Sequence, residues 1–385
     1  MRSSALTWVE IDEDALEKNA RSLKSRVGDS CIFAPVVKAN GYGHGLGIAA
    51  RAFVRGGADW LCVHELEEVL ELRTIGIELP IYVVGFIAQE DAHLVVESGA
   101  RVVAYSLDFL KALATAAETA NQTVPIHIKL ETGNHRQGLT PDEAFVLARF
   151  AHESPRLELE GVSTHFADIE DTTNHSFAQH QLDIFESFKS RCAGANIAIS
   201  MFHSANSAAT LLWSHAHGEM VRAGIAAYGL WPSKETLITA LQAQQETLEL
   251  QRAMTWKARI AQVKEVEPGA YIGYGRTYRT THLSQIAVLT VGYYDGYDRK
   301  LSNQAFVLIR GHRAPVRGRI CMNMMMVDVT HVPSVEAGEE VVLLGRSGDE
   351  EITAEMMAEW AGTIHYEIVS RIHERIPRIS VGGDG

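Results

Sequence analysis

Short, continuously apolar runs recur along the first part of this chain, each followed by a stretch of helical character, and this alternation restricts the fold more than any other feature. The runs are Ile32–Val37, Trp60–Val63, Ile81–Val84, Val102–Tyr105, Pro125–Leu130, Leu159–Ser163, Ile199–His203 and Met220–Ala223. Strict polar–apolar alternation marks a sheet with one face in water. Unbroken runs mark strands covered on both faces, as in a parallel sheet wrapped by helices. One intervening helix is expected over Ala15–Leu23, with Asp12 as a candidate N-cap. Another is expected over Asp142–Ala151, announced by Thr140 as N-cap, Pro141 at the first helical position and Glu143 three residues after the cap. Eight such βα repeats predict an α/β TIM barrel.

From about Ala253 the periodicity changes. Trp256-Lys257-Ala258-Arg259-Ile260 and Ala314-Pro315-Val316-Arg317-Gly318 alternate with period two, which predicts a second, mostly antiparallel β domain. The run Trp8–Ile11 is surplus to an eight-stranded barrel and is assigned to that second domain. The expected division is a barrel over residues 12–248 and a β domain over residues 249–385 with residues 1–11 added. A chain of 385 residues, 46% hydrophobic, is long enough for two cores.

Composition acts mainly by exclusion. A formal net charge of −13 leaves no basic field for nucleic acid or an anionic membrane surface. No apolar run approaches the roughly 20 residues of a membrane span. Met1–Asp12 lacks an apolar stretch followed by a small-residue cleavage site, so a cytoplasmic location is expected. Cys31, Cys62, Cys192 and Cys321 form no C-x-x-C pair and fit reduced thiols. The chain has 17 histidines, and His165, Asp168, Asp171 and His175 lie close together in sequence. No H-E-x-x-H or cysteine-rich spacing accompanies them, and no metal site is expected. A small-molecule partner remains.

In a TIM barrel the chemistry gathers where the strands end. The first run opens into Lys38-Ala39-Asn40-Gly41-Tyr42-Gly43-His44-Gly45. A lysine emerging from a buried strand can be desolvated, which lowers its pKa and makes its amine a nucleophile toward an aldehyde. Position alone fits a solvated loop lysine as well. The fifth run ends in Lys129-Leu130-Glu131-Thr132-Gly133, with Arg136 beyond, and the sixth in Thr164-His165. The last two lead to His203-Ser204-Ala205-Asn206-Ser207 and Arg222-Ala223-Gly224-Ile225. Hydroxyls, small residues and exposed amides there suit a bound phosphate, because they let N–H donors approach the anion.

Several longer stretches carry a family resemblance. In the first part of the chain they are Ala34-Pro35-Val36-Val37-Lys38 through Gly45, Thr164-His165-Phe166-Ala167, Asn206-Ser207-Ala208-Ala209, and Arg222-Ala223-Gly224-Ile225 running to Tyr228-Gly229. In the second part they are Tyr274-Gly275-Arg276-Thr277-Tyr278, Gly292-Tyr293 with Asp295-Gly296-Tyr297, Gly318-Arg319-Ile320-Cys321-Met322, and Tyr366-Glu367 leading to Arg375-Ile376-Pro377-Arg378. On these residues the chain resembles alanine racemases over essentially its whole length.

The resemblance implies pyridoxal 5'-phosphate carried covalently on Lys38, an amino-acid substrate, and D-alanine as a product for peptidoglycan. It implies a phosphate held by Tyr42, Ser207, Gly224, Ile225 and Tyr366, with Asn206 and His165 also among the cofactor-binding residues. Arg222 would face the pyridine nitrogen, where a permanently charged guanidinium donates a hydrogen bond but yields no proton. That makes a weaker electron sink and disfavours side reactions such as transamination. Racemisation needs a base on each face of the α-carbon, and the resemblance assigns Lys38 to the D-enantiomer and Tyr274 to the L-enantiomer. A phenol with an ordinary pKa near ~10 is a poor base at neutral pH, so His165, with Arg222 behind it, would bias Tyr274. Arg136 and the Met322 backbone would meet the substrate carboxylate. A homodimer with shared active sites is implied, each site taking Tyr274 and Met322 from the partner.

Departures from the commonest family pattern fall at Glu131, Asn134, His135, Tyr294 and Asn323. Lys129 is either carbamylated, as the resemblance implies, or paired with Glu131. Competing readings are a racemase acting on serine, lysine or several amino acids, and a pyridoxal-phosphate decarboxylase of the same architecture, which would not need Tyr274-Gly275-Arg276. A cofactor-carrying binding protein built on the barrel alone is a third, and the β domain counts against it.

Overall fold

The computed structural model describes residues 5–244 and 247–383. The chain divides into two compact units, one built from Asp14–Gly41 and Ala49–Arg252 and the other from the described residues through Glu13, Tyr42–Ile48, and those from Ala253 onward.

The first of these is the barrel. Eight parallel strands run in chain order: Ile32–Phe33, Leu61–Val63, Ile81–Val83, Arg101–Ala104, Val124–Lys129, Leu157–Ser163, Met201–His203 and Met220–Val221. Six form a continuous sheet from Leu61–Val63 to Met201–His203, and the first and last pair with each other, Ile32 opposite Met220 and Phe33 opposite Val221. The ring closes through short contacts. Cys62 N–H donates to Pro35 O at 3.0 Å on one side, and Arg222 N–H to Ala205 O at 3.0 Å on the other. The first run keeps pairing beyond Phe33: Val36 bridges Cys62 in parallel and Val36 N–H donates to Ala223 O at 2.9 Å, while Pro35 has no N–H to donate.

The expected helices are present and longer than their signals, at Glu13–Val27 and Pro141–Glu153. Thr140 caps the second reciprocally: Glu143 N–H donates to its hydroxyl at 3.4 Å, and its own N–H donates to the Glu143 carboxylate at 3.0 Å. The helices close the outside of the barrel through fully buried side chains. Phe53 meets Tyr228 edge to face at 5.3 Å, and each large apolar group so buried stabilises the fold by roughly 1.5–3 kcal/mol.

The other unit centres on a nine-stranded, mostly antiparallel sheet. Its longest strand, Met254–Val266, pairs with Thr7–Asp12, Ser284–Leu289 and Glu340–Ser347. Thr7–Asp12 is held on its other edge by Arg378–Val381, in parallel. The sequence reading placed Tyr42–Ile48 within the barrel span, whereas the structure groups it with this sheet unit. The physical reason is local: the Arg378 guanidinium donates to Gly43 O at 2.9 Å, and Gly43 packs so tightly on Val369 that a Cβ would lie 2.9 Å from the Val369 carbonyl carbon.

Candidate active site

Polar residues converge where the barrel strands end. Lys38 leads into a turn in which Ala39, Asn40, Gly41 and Tyr42 all have φ between +51° and +60°. Non-glycine residues enter this left-handed region at a cost of roughly 1–2 kcal/mol each, so neighbours must hold the turn. Gly41 N–H donates to Val37 O at 2.8 Å. The Glu68 carboxylate accepts from the N–H groups of Ala39 at 2.7 Å, His64 at 2.7 Å and Glu65 at 3.2 Å. Burial, reinforced by the Arg136 guanidinium, lowers the Lys38 ammonium below its ordinary value.

A second lysine, Lys129, is buried at the end of Val124–Lys129, and burial together with Arg222 and Arg136 drives its pKa well down. No ion pair joins it to Glu131. That carboxylate accepts from Gly133 N–H at 2.5 Å, and amides of the same loop, His135 first, hold it below the usual range against the effect of burial. Asn134 donates to Phe166 O at 3.3 Å. These departures therefore shape the loop that carries Arg136. His165, next to Thr164, is held well below its usual pKa by burial and then by Lys129 and Arg222, so its imidazole is neutral at pH 7.

Arg222 is buried and anchored to strand ends. It donates to Thr164 O at 2.8 Å, His203 O at 3.1 Å, Ser204 O at 3.2 Å, and to His203 Nδ1. The Ser207 hydroxyl accepts from Gly224 N–H at 2.8 Å and Ala226 N–H at 3.3 Å, tying the last two strand ends into one cup. Ile225 opens the short 3-10 turn Ile225–Tyr228, so its N–H is one of the orphan donors of a helix start. The Asn206 amide donates to the Glu170 carboxylate at 2.7 Å and its carbonyl accepts from Ala209 N–H at 3.0 Å, which caps the helix Ser207–Leu212.

Three residues continue from Arg222 into the barrel interior; of these His203 stood among the strand-end residues read from the sequence, whereas His127 and Glu160 were passed over. His203 Nε2 lies 2.8 Å from His127 Nδ1, and His127 Nε2 lies 3.0 Å from the Glu160 carboxylate, which also accepts from Arg101 Nε at 2.9 Å. The available signal was ionisable residues inside runs that otherwise read as buried strand. Among the described residues, no group of three or more His, Cys, Asp or Glu side chains is placed to hold a metal ion.

The sheet unit carries its own set. Tyr42 and Tyr366 approach with ring centroids 6.3 Å apart. Tyr274 is 71% exposed on the turn Tyr274–Arg276, between Gly273 and Gly275, both at positive φ. Met322, also exposed, sits on a loop pressed against Gly292: Tyr293 N–H donates to Cys321 O at 3.0 Å and Tyr294 N–H to Met322 O at 2.9 Å. A Cβ on Gly292 would lie 2.6 Å from the Met322 carbonyl carbon.

Two domain models match this chain, the alanine racemase N-terminal domain over residues 11–232 and the alanine racemase C-terminal domain over residues 253–380. The chain belongs to the alanine racemase family. It is 42% identical over 376 residues to an alanine racemase of Symbiobacterium thermophilum, covering 98% of this chain and 97% of that protein. The crystal structure of alanine racemase from D-cycloserine-producing Streptomyces lavendulae superposes with a TM-score of 0.92 at 34% identity, covering 99% and 98% of the two chains. That of alanine racemase from Bartonella henselae, with covalently bound pyridoxal phosphate, gives a TM-score of 0.86 at 26% identity, covering 98% and 100%. The chain is thus an amino-acid racemase, and the barrel with a mostly antiparallel β domain is the family's architecture. No helix among the described residues is long and apolar enough to cross a membrane.

Proposed function

We propose that this racemase interconverts L- and D-alanine with pyridoxal 5'-phosphate, using Lys38 and Tyr274 as opposed bases, and supplies D-alanine for peptidoglycan. The observation that carries the reading is Lys38 itself: a partly buried amine, its charged form disfavoured by burial and by Arg136, at the mouth of a parallel barrel. A lysine kept from protonation is nucleophilic toward an aldehyde. The donor set fits the rest of the cofactor. The Ser207 hydroxyl and the Ile225 amide suit a phosphate, with Tyr42 and Tyr366 adding phenol donors, and Arg222 suits a ring nitrogen. Bound there, the cofactor supplies the electron sink that acidifies the substrate α-proton.

The residues then divide the work. Lys38 Nζ takes or returns a proton on one face of the α-carbon, and Tyr274 Oη does so on the other. His165, neutral, offers the phenol one donor and one acceptor nitrogen. Arg136 and the Met322 N–H, which has no acceptor among the described residues, take the substrate carboxylate. We further propose a homodimer in which Tyr274 and Met322 of the partner subunit complete each barrel mouth. The exposure of Tyr274, Met322, Met324, Tyr293 and Tyr294 on the sheet unit supports this. The lowered pKa of Lys129 favours carbamylation over pairing with Glu131, since the neutral amine is the form that attacks carbon dioxide.

The test is racemisation and α-deuterium incorporation from deuterium oxide, measured across L-alanine, L-serine and L-lysine. Strong alanine turnover with little elsewhere is expected; comparable turnover of larger amino acids would overturn the assigned specificity, and carbon dioxide release without racemisation the mechanism. Borohydride reduction of the loaded protein should fix the cofactor on Lys38 by mass spectrometry, and labelling elsewhere would refute that assignment.

A further inference from the structure

Arg222 is a buried cation without a carboxylate partner among its hydrogen bonds. The first negative charge along its bonded path is Glu160, two imidazoles away. We infer that Glu160 is a positioning residue for Arg222, acting through the tautomers of His127 and His203.

The direction of every bond on the path is forced from both ends. A guanidinium only donates, so His203 Nδ1, which faces Arg222 Nη1, must be the bare nitrogen. The His203 proton then sits on Nε2 and is donated to His127 Nδ1, 2.8 Å away. The His127 proton in turn sits on Nε2, 3.0 Å from the Glu160 carboxylate, which only accepts. Both histidines are neutral and both carry N–H on Nε2. Burial disfavours their protonation, most strongly at His203, where Arg222 adds to the effect.

The strand geometry aims Glu160 at this task. Ile126 pairs with Leu159 but His127 with Gly161, so Glu160 is the extra residue of a β-bulge on Leu157–Ser163. A bulge re-aims a side chain, and here the carboxylate is directed toward His127 and Arg101. Arg101 is fixed in turn over the Trp60 ring at 4.4 Å. Without a carboxylate, His127 is free to place its proton on Nδ1, His203 then follows, and an N–H on His203 Nδ1 opposes an N–H of Arg222. Two facing donors would displace the guanidinium. The tautomers themselves do not depend on the proposed function; the catalytic consequence rests on the role proposed there for Arg222.

The experiment is long-range proton–nitrogen NMR of protein labelled with nitrogen-15 at histidine, assigned with His127→Gln and His203→Asn. In wild type both residues should be neutral with the proton on Nε2. Glu160→Gln, whose carbonyl still accepts, should retain that pattern, and Glu160→Leu should lose it. A proton on Nδ1 of either histidine in wild type, or an unchanged pattern in Glu160→Leu, overturns the inference. If Glu160→Leu does not fold, the wild-type pattern and its persistence in Glu160→Gln decide. With pyridoxal phosphate and alanine, Glu160→Leu should lower kcat roughly tenfold with little change in KM and shift the visible absorption of the bound cofactor, while Glu160→Gln should recover most of both. An equal loss in both variants would indicate a merely structural role and overturn the inference. A wild-type protein that takes up no pyridoxal phosphate would refute the proposed function while leaving the NMR result to decide the tautomers.

Discussion

Gly161→Ala is a small change aimed at the barrel's polar interior. Gly161 lies opposite His127 in the ladder, and a Cβ there would stand 2.7 Å from His127 Cε1 and closer still to Nδ1. The backbone is outside the left-handed region, so the effect is purely one of space. The His127 ring cannot withdraw freely, with the Tyr82 ring 4.6 Å from it on one side and His203 5.0 Å on another. Overpacking of this kind costs about 1–3 kcal/mol. Displacing the imidazole also breaks its bond to His203 and leaves buried donors and acceptors unmatched, at about 1–3 kcal/mol more. The lower unfolded-state entropy of alanine returns about 0.4–1 kcal/mol. A net loss of about 3 kcal/mol would lower the midpoint of a barrel of this size by roughly 6–12 °C. Thermal unfolding at fixed protein concentration, followed by tryptophan fluorescence, measures it. The decisive comparison is the same substitution in a His127→Ala background, where the ring is gone and the added cost should fall below about 1 kcal/mol. A Gly161→Ala loss that persists undiminished there would refute the steric account.

Other consequences follow from the same geometry. Arg136→Leu removes a positive charge that disfavours the Lys38 ammonium, so the Lys38 pKa should rise; the pH dependence of its labelling by pyridoxal phosphate in the apoprotein measures this, and a fall would count against Arg136 as a cause. His127, His165 and His203 all have folded pKa values below the unfolded value near ~6.5, so the unfolded chain takes up protons first as pH falls. Stability should therefore be intact above that value and decline below it by about 1.4 kcal/mol per pH unit for each histidine involved; a flat unfolding free energy between about pH 6.5 and 5.5 would contradict their buried, neutral state. Gly292→Ala should push back the loop carrying the Met322 amide and raise KM for alanine by roughly tenfold, read from steady-state kinetics, and an unchanged KM would remove that amide from substrate binding.

The barrel was legible because each of its strands is a local apolar run, and such a run is buried on both faces when helices cover the outside of a ring of parallel strands and the strands' own side chains fill the inside. Lys38, His165 and Arg222 were legible as strand-end residues for the same reason. Glu131 was not. Opposite charge two residues from Lys129 allows an ion pair beside the carbamylated alternative, but the loop bends so that the carboxylate serves backbone amides. Asn206 stands among the strand-end residues in the chain, but its engagement by Glu170 and Ala209 is visible only in the fold. Tyr42–Ile48 follows a barrel strand in the chain but is held by Arg378 and Val369, hundreds of residues later.

The sequence by itself determined how many strands the barrel has, their order, and which residues stand where they end, since short-range periodicity specifies all three. Only the tertiary structure decided which of those residues meet. His127, Glu160 and His203 lie on three strands, and their contact depends on a one-residue bulge that sets the stagger between neighbours. A bulge leaves little trace in the apolar pattern, because it moves a side chain without changing whether the strand is buried.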